Sequence, residues 1–130
     1  MAHPETAADA LAGATAPAHL ATSVENRPHV APVWYLYDDG SLYLFTSGRK
    51  LRNLQENPRV AASVEGDGWL VVLRGTATVV DDVERARDIG RQLFETYTGD
   101  PAGSEFTDED GTPKGTLVEV DIGTVTLRED

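Results

Sequence analysis

Turn signals punctuate the first eighty residues more closely than a long helix could tolerate. Asn26-Arg27-Pro28, Asp38-Asp39-Gly40, Asn57-Pro58 and Gly66-Asp67-Gly68 cut the chain into short runs. Most of those runs alternate apolar and polar residues, the period of a half-buried strand. Strands are expected over 18–25, 29–37, 41–46, 59–65 and 69–80. Two more, 116–122 and 124–128, are expected near the C-terminus. Helices do not separate these strands in regular alternation, which argues against a doubly wound parallel sheet. The pattern predicts a small antiparallel barrel of about seven strands with appended helices, a mainly β, α+β fold.

Within the second run, Val30, Pro32, Trp34 and Leu36 share one face, and Ala31, Val33, Tyr35 and Tyr37 the other. Pro32 cannot donate to a ladder, so this strand is expected at an edge or bulged. Asp39-Gly40 is a hairpin turn into Ser41–Thr46. Gly75, inside the long run from Trp69, suggests a bend.

One long helix is expected from Asp82 to about Thr98, capped by Asp81 with Glu84 three residues on, and ended by Gly99. Its apolar face is Val83, Ala86, Ile89, Leu93, Phe94 and Tyr97. One or two short helices complete the set. One follows Ser47, carries Leu51 and Leu54 on a stripe and stops at Pro58; the other lies within the alanine-rich residues 5–13. Residues 1–130 make one domain. Residues 1–15 are expected to be a tail with a short helix, and 99–115 a mobile acidic loop.

Composition removes several function classes. There is no cysteine, hence no disulfide, thiolate metal site or cysteine nucleophile. The net charge of −11 repels nucleic acid and anionic membrane surfaces. The N-terminus lacks a basic n-region and no apolar run approaches a membrane span, so a cytoplasmic protein is expected. Lys50 and Lys114 are the only lysines. An acidic, lysine-poor chain fits a halophilic source and a GC-rich genome equally well.

The segment Thr46–Asn53 carries the strongest chemical signal. Arg49, Lys50 and Arg52 place three cations in four positions at the start of a helix. Cations there oppose the helix dipole, and a bound anion relieves the conflict. Thr46 and Ser47 add hydroxyls, and Gly48 lets the backbone come close. Arg49 can clamp two phosphate oxygens while Lys50 acts as a point charge. A solvated helix face with surface cations is the plainer alternative. Beside it, Val33-Trp34-Tyr35 offer an extended backbone and aromatic faces for a flat heterocycle.

His3, His19 and His29 are not spaced as a metal set; His29 starts the strand facing the proposed site. No acid–base pair and no Ser-His-Asp order stands out, and Asp108-Glu109-Asp110-Gly111 lacks the remainder of a calcium loop.

Four segments in order resemble the pyridoxamine 5′-phosphate oxidase-like family of split β-barrels. They are His19–Thr22, Arg27–Tyr35, Thr46–Leu54 and Asn57–Ala61. The resemblance implies a homodimer binding FMN or, in one branch, the deazaflavin F420 between subunits. It implies that His29, Val30, Ala31, Pro32, Val33 and Trp34 lie against the ring and ribityl chain, followed by Phe45, Thr46, Ser47 and Asn53. Arg49 and Lys50 would hold the phosphate, and Trp69 would reach the ring.

Leu70 stands about where the true oxidases carry glutamine. The sequence ends at Asp130, before their Trp- and Arg-bearing closing segment, so vitamin B6 is not the expected substrate. The implied activity is hydride transfer between a donor such as NAD(P)H and a small molecule, with the cofactor supplying the chemistry. A non-catalytic flavin binder and a cofactor-free interaction module stay open beside it.

Overall fold

A computed structural model describes residues 4–103 and 105–129. His3 lies outside them. The elements run α1 (Ala7–Gly13), β1 (Ala18–Val24), β2 (Arg27–Val33), β3 (Leu36–Asp38), β4 (Ser41–Thr46) and α2 (Gly48–Glu56). They continue with β5 (Arg59–Gly66), β6 (Trp69–Val79), α3 (Val83–Thr98) and β7 (Thr116–Glu129). One seven-stranded sheet of antiparallel pairs holds every strand, in the order β2-β1-β5-β6-β7-β4-β3.

The expected strand 29–37 is two strands. β2 and β3 occupy opposite edges of the sheet, with only Trp34 and Tyr35 between them. Three Cα–Cα steps span at most about 11 Å, so the sheet must curl until its edges approach. The edges do not pair with each other, and the sheet stays open.

The break has local and distant causes. Pro32 offers no N–H, and the Tyr35 N–H turns away to donate to the Tyr97 hydroxyl at 3.4 Å. The Tyr35 hydroxyl donates to the Leu11 carbonyl at 2.8 Å. Pro32 does lie on an edge strand, opposite His19.

The two expected C-terminal strands are one. β7 runs unbroken past Gly123, which is skipped where Arg74 pairs Thr124 and Gly75 pairs Ile122. A side chain on Gly75 would meet the Asp121 carbonyl, so the expected irregularity is a bulge with close backbone contact.

Asp82, not Asp81, caps α3, accepting from the Arg85 N–H at 3.1 Å. Val83, expected on the apolar face, is 53% exposed, and contact with the sheet begins at Arg85 and Ala86, which meet Tyr43. The first turn falls one residue earlier than expected: Glu25-Asn26 turn with positive φ, and Arg27 and Pro28 already pair with Val24 and Ser23. Asp39-Gly40 turns with positive φ and Gly99 ends α3 in the left-handed region, both where expected.

Two cores follow from the alternation of β4. Leu42 and Leu44 face the main core with Leu11, Val64, Leu73, Val118 and Val120. Tyr43 faces a smaller core with Ile89 and Leu117 under α3. Each fully buried leucine contributes roughly 2 kcal/mol of transfer free energy. α3 therefore covers the outer face of β4 and β7, beside the gap between the sheet edges. Among the described residues no helix is long and apolar enough to cross a membrane.

Candidate functional site

A cavity of about 320 Å³ opens in that gap, within the range of small-molecule sites. Pro32 and Val33 from the end of β2, with Trp34 just beyond it, form one wall. Phe45 from β4 and Lys50 from α2 form the floor, with Leu93 and Phe94 from α3 beside them. Phe106 and Lys114 supply the remaining side.

Five aromatic rings form a continuous chain along it. Tyr97 stacks on Trp34 at 5.1 Å, and Trp34 meets Phe106 edge-on at 5.1 Å. Phe106 stacks on Phe94 at 5.6 Å, and Phe94 on Phe45 at 6.3 Å. Such contacts contribute about 1 kcal/mol each beyond their burial. Among the described residues no carboxylate or histidine lines this cavity, and its aromatic walls suit a flat molecule.

A second depression, about 220 Å³, lies farther back along β2. His29, Arg49 and Asn53 line it with Arg27 and Glu25. Arg49 and Asn53 share a helical face at i and i+4 spacing, and Lys50 is turned toward the aromatic cavity. Eight of the predicted residues thus divide between two depressions, with the first turn of α2 contributing to both, whereas Val30, Ala31, Thr46, Ser47 and Trp69 line neither.

That turn has the features of an anion cradle. Ser47 is the N-cap but its side chain makes no capping bond, and no acidic residue stands in the first turn. Gly48 has φ 63°, a conformation that glycine adopts without strain. Thr46, two residues before it, is only 4% exposed, and among the described residues its Oγ1 has no hydrogen-bond partner. A buried hydroxyl without a partner is costly, and it stands where the phosphate was expected.

Other predicted residues are placed differently. Val30 faces outward, 64% exposed, while Ala31 is half-buried. Trp69 does not line the cavity. Its indole packs against Gly66 at the start of β6, whereas the end of β6 pairs with Val118, next to Leu117 opposite Phe45. Ten residues of strand separate the two, about 33 Å.

Sequence reasoning missed Phe106 and Lys114 as site residues, and assigned Leu93 and Phe94 only to the core. The available signals were an aromatic residue alone in an acidic loop and one of only two lysines. That loop, 99–115, is built from turns and hydrogen bonds in its described residues.

Burial raises the Tyr35 and Tyr97 hydroxyls above the ordinary tyrosine range; the neighbouring Tyr97 adds to the effect on Tyr35. Both remain neutral donors. The Asp110 carboxyl is lowered to about 2, first by a hydrogen bond with the Asp108 carboxyl, then by the Thr112 hydroxyl and N–H, and further by Arg87.

The fold is a curled, open antiparallel sheet with three helices, an α+β protein with a cationic turn beside an aromatic cavity. The chain belongs to the pyridoxamine 5′-phosphate oxidase family, whose model matches residues 4–129. Among solved structures it is similar to a conserved hypothetical protein from Mycobacterium tuberculosis. That match has 26% identity, covers 99% of this chain and 85% of the other, and gives a TM-score of 0.78.

It is also similar to a FAD-binding protein from Mesorhizobium loti, with 22% identity, 92% and 89% coverage and a TM-score of 0.69. An F420 reductase matches with 22% identity, 93% and 97% coverage and a TM-score of 0.71. The last two likenesses establish a shared fold. Among curated proteins none matches the chain significantly.

Proposed function

We propose that this protein is a flavin-dependent oxidoreductase of the split-barrel type, binding FMN at a homodimer interface and transferring two electrons as hydride to or from a small molecule. The observation that carries the reading is the unpartnered Thr46 hydroxyl beside the uncapped, cation-bearing start of α2, next to the aromatic cavity. The residues fit such a cofactor. Arg49 and Lys50 would hold its phosphate, with Thr46 and Ser47 donating hydroxyls. His29 and Asn53 would flank the ribityl chain, and the backbone of Val30–Trp34 with Phe45 would bound the ring.

A bound flavin supplies the hydride chemistry itself. The chain's own residues orient the ring, exclude water with the Trp34–Phe106–Phe94 array, and neutralise the phosphate. NAD(P)H is the proposed electron donor.

Dimerisation has its own support. β4 pairs with β7 only as far as Asp121 and the Ile122 N–H donates to the Gly40 carbonyl, so among the described residues the β7 edge from 123 to 129 has no strand on that side. Val72 and Val125 are 41% and 43% exposed nearby. A second subunit would cover them and could bring its Trp69 to the ring.

A second reading is favoured by Arg27. It shares the depression of Arg49 and His29, where the acidic tail of F420 would require more cations. Arg52 and Arg74 are exposed and line neither depression.

The test is titration with FMN, F420 and riboflavin, followed by turnover with NAD(P)H and a generic acceptor. FMN binding with turnover is expected. Preference for F420 selects the second reading, and tight FMN binding without turnover leaves a flavin carrier. Binding of none of the three would end the cofactor assignment.

A further inference from the structure

Phe106 and Lys114 face each other at the base of a short hairpin. The Lys114 N–H donates to the Phe106 carbonyl at 2.8 Å, and the Asp108 N–H to the Thr112 carbonyl at 2.9 Å. Thr107 and Pro113 bridge between these bonds. The hairpin is fastened to α3. Pro113 packs on Gly90, where any side chain would collide with it. Arg87 reaches Thr112 Oγ1 at 3.1 Å and Asp110 Oδ2 at 3.3 Å. Phe106 is thereby held edge-on to Trp34, with an interplanar angle of 73°.

Lys114 has no part in the cofactor contacts proposed above. Its hairpin carries Asp108, Glu109 and Asp110, the obvious partners for a lysine. Asp110 instead pairs with Arg87, and among the described residues Lys114 enters no ion pair. It lines the aromatic cavity with Lys50. A chain of net charge −11 thus commits both of its lysines to one cavity that no carboxylate lines among the described residues.

We infer that Phe106 and Lys114 form the substrate-recognising wall of this cavity, and that the substrate is a planar conjugated molecule bearing a carboxylate. The flat part lies against Trp34 and Phe106, whose spacing suits aromatic contacts. The carboxylate meets the Lys114 ammonium, which is exposed at the rim of the cavity, in a charge-assisted contact. A neutral analogue lacks that contact and binds more weakly. This inference rests on the flavin reading for the assignment of the opposite wall.

The test uses 2-naphthoate and its neutral amide, 2-naphthamide, as probes. The full chain is titrated calorimetrically as purified and again after saturation with FMN. Naphthoate is expected to bind at least about tenfold more tightly than naphthamide, and Lys114→Gln to erase that preference while Lys114→Arg retains most of it. FMN affinity should stay within about twofold in Lys114→Gln, since the phosphate is assigned to other cations.

Equal binding of the two probes, or a preference that survives Lys114→Gln, overturns the inference. So does displacement of naphthoate by FMN, or a loss of discrimination between FMN and riboflavin in Lys114→Gln; either makes Lys114 a cofactor anchor. If FMN does not bind but naphthoate preference depends on Lys114, the cofactor assignment falls and the anionic-ligand wall stands. If FMN binds and the preference is missing, only the wall falls.

Discussion

The Trp34 indole lies on the Tyr97 ring with centroids 5.1 Å apart and planes 10° from parallel. This stack joins the strand break to α3, sixty-odd residues away in sequence. Tyr97 also fixes the backbone on both sides of it. Its hydroxyl accepts from the Tyr35 N–H and donates to the Ala16 carbonyl at 3.0 Å. One side chain therefore holds the crossing between sheet edges, the approach to β1 and the rear of the aromatic cavity.

Tyr97→Phe keeps the stack and removes only the hydroxyl. The Tyr35 N–H and the Ala16 carbonyl then lose their partner, so stability should fall by about 1–2 kcal/mol. Urea unfolding followed by tryptophan emission measures this. A variant as stable as the parent would mean that water serves both groups equally well.

Arg49→Ala combined with Lys50→Ala separates phosphate binding from ring binding. FMN affinity should fall about a hundredfold, since two charge-assisted contacts are lost, while riboflavin affinity changes by no more than about threefold. Flavin fluorescence titrations with the two ligands make the comparison. Equal losses would show that the cations support the fold of the site rather than the phosphate.

The Asp110 carboxyl links the hairpin to acid pH. Its folded value of about 2 lies below the ordinary unfolded value of about 3.9. Its contribution to docking is therefore present above the unfolded value and is lost as pH falls from about 4 through 2. In a Trp69→Phe background, Trp34 emission should change over that window as Phe106 shifts. Asp110→Asn should lack that component. An unchanged acid transition in Asp110→Asn would place the titration elsewhere.

Local chemistry was legible wherever a few neighbouring residues decide the outcome. Asp39-Gly40, Gly99 and Pro58 impose turns and stops that no distant contact has to supply. The strand break was not legible, because the apolar run continues unbroken from Val30 through Tyr37. Its causes are contacts between Tyr35 and both Tyr97 and Leu11, far away in sequence. Gly123 has the look of a turn in sequence, yet it is the spare residue of a bulge opposite Gly75.

The same division governs the site. Pro32–Trp34 and Thr46–Lys50 form contiguous motifs, and their neighbourhood was expected. Phe106 and Lys114 reach the cavity only because Pro113 fits on Gly90 and Arg87 binds the hairpin. Nothing local in an acidic, glycine-rich segment encodes that docking.

Thr46→Val tests whether stability has been given up for binding. The Thr46 Oγ1 is buried without a partner, and replacing the hydroxyl by a methyl removes its desolvation penalty. Stability should rise by about 1 kcal/mol. If the hydroxyl donates to the phosphate, FMN affinity should fall by roughly fivefold to tenfold, with riboflavin affinity nearly unchanged. Denaturation midpoints and paired flavin titrations give both numbers from one preparation. A gain in stability with no change in FMN affinity would remove Thr46 from the binding site. A loss of stability would mean that the hydroxyl already has a partner, such as a buried water, in the protein without cofactor.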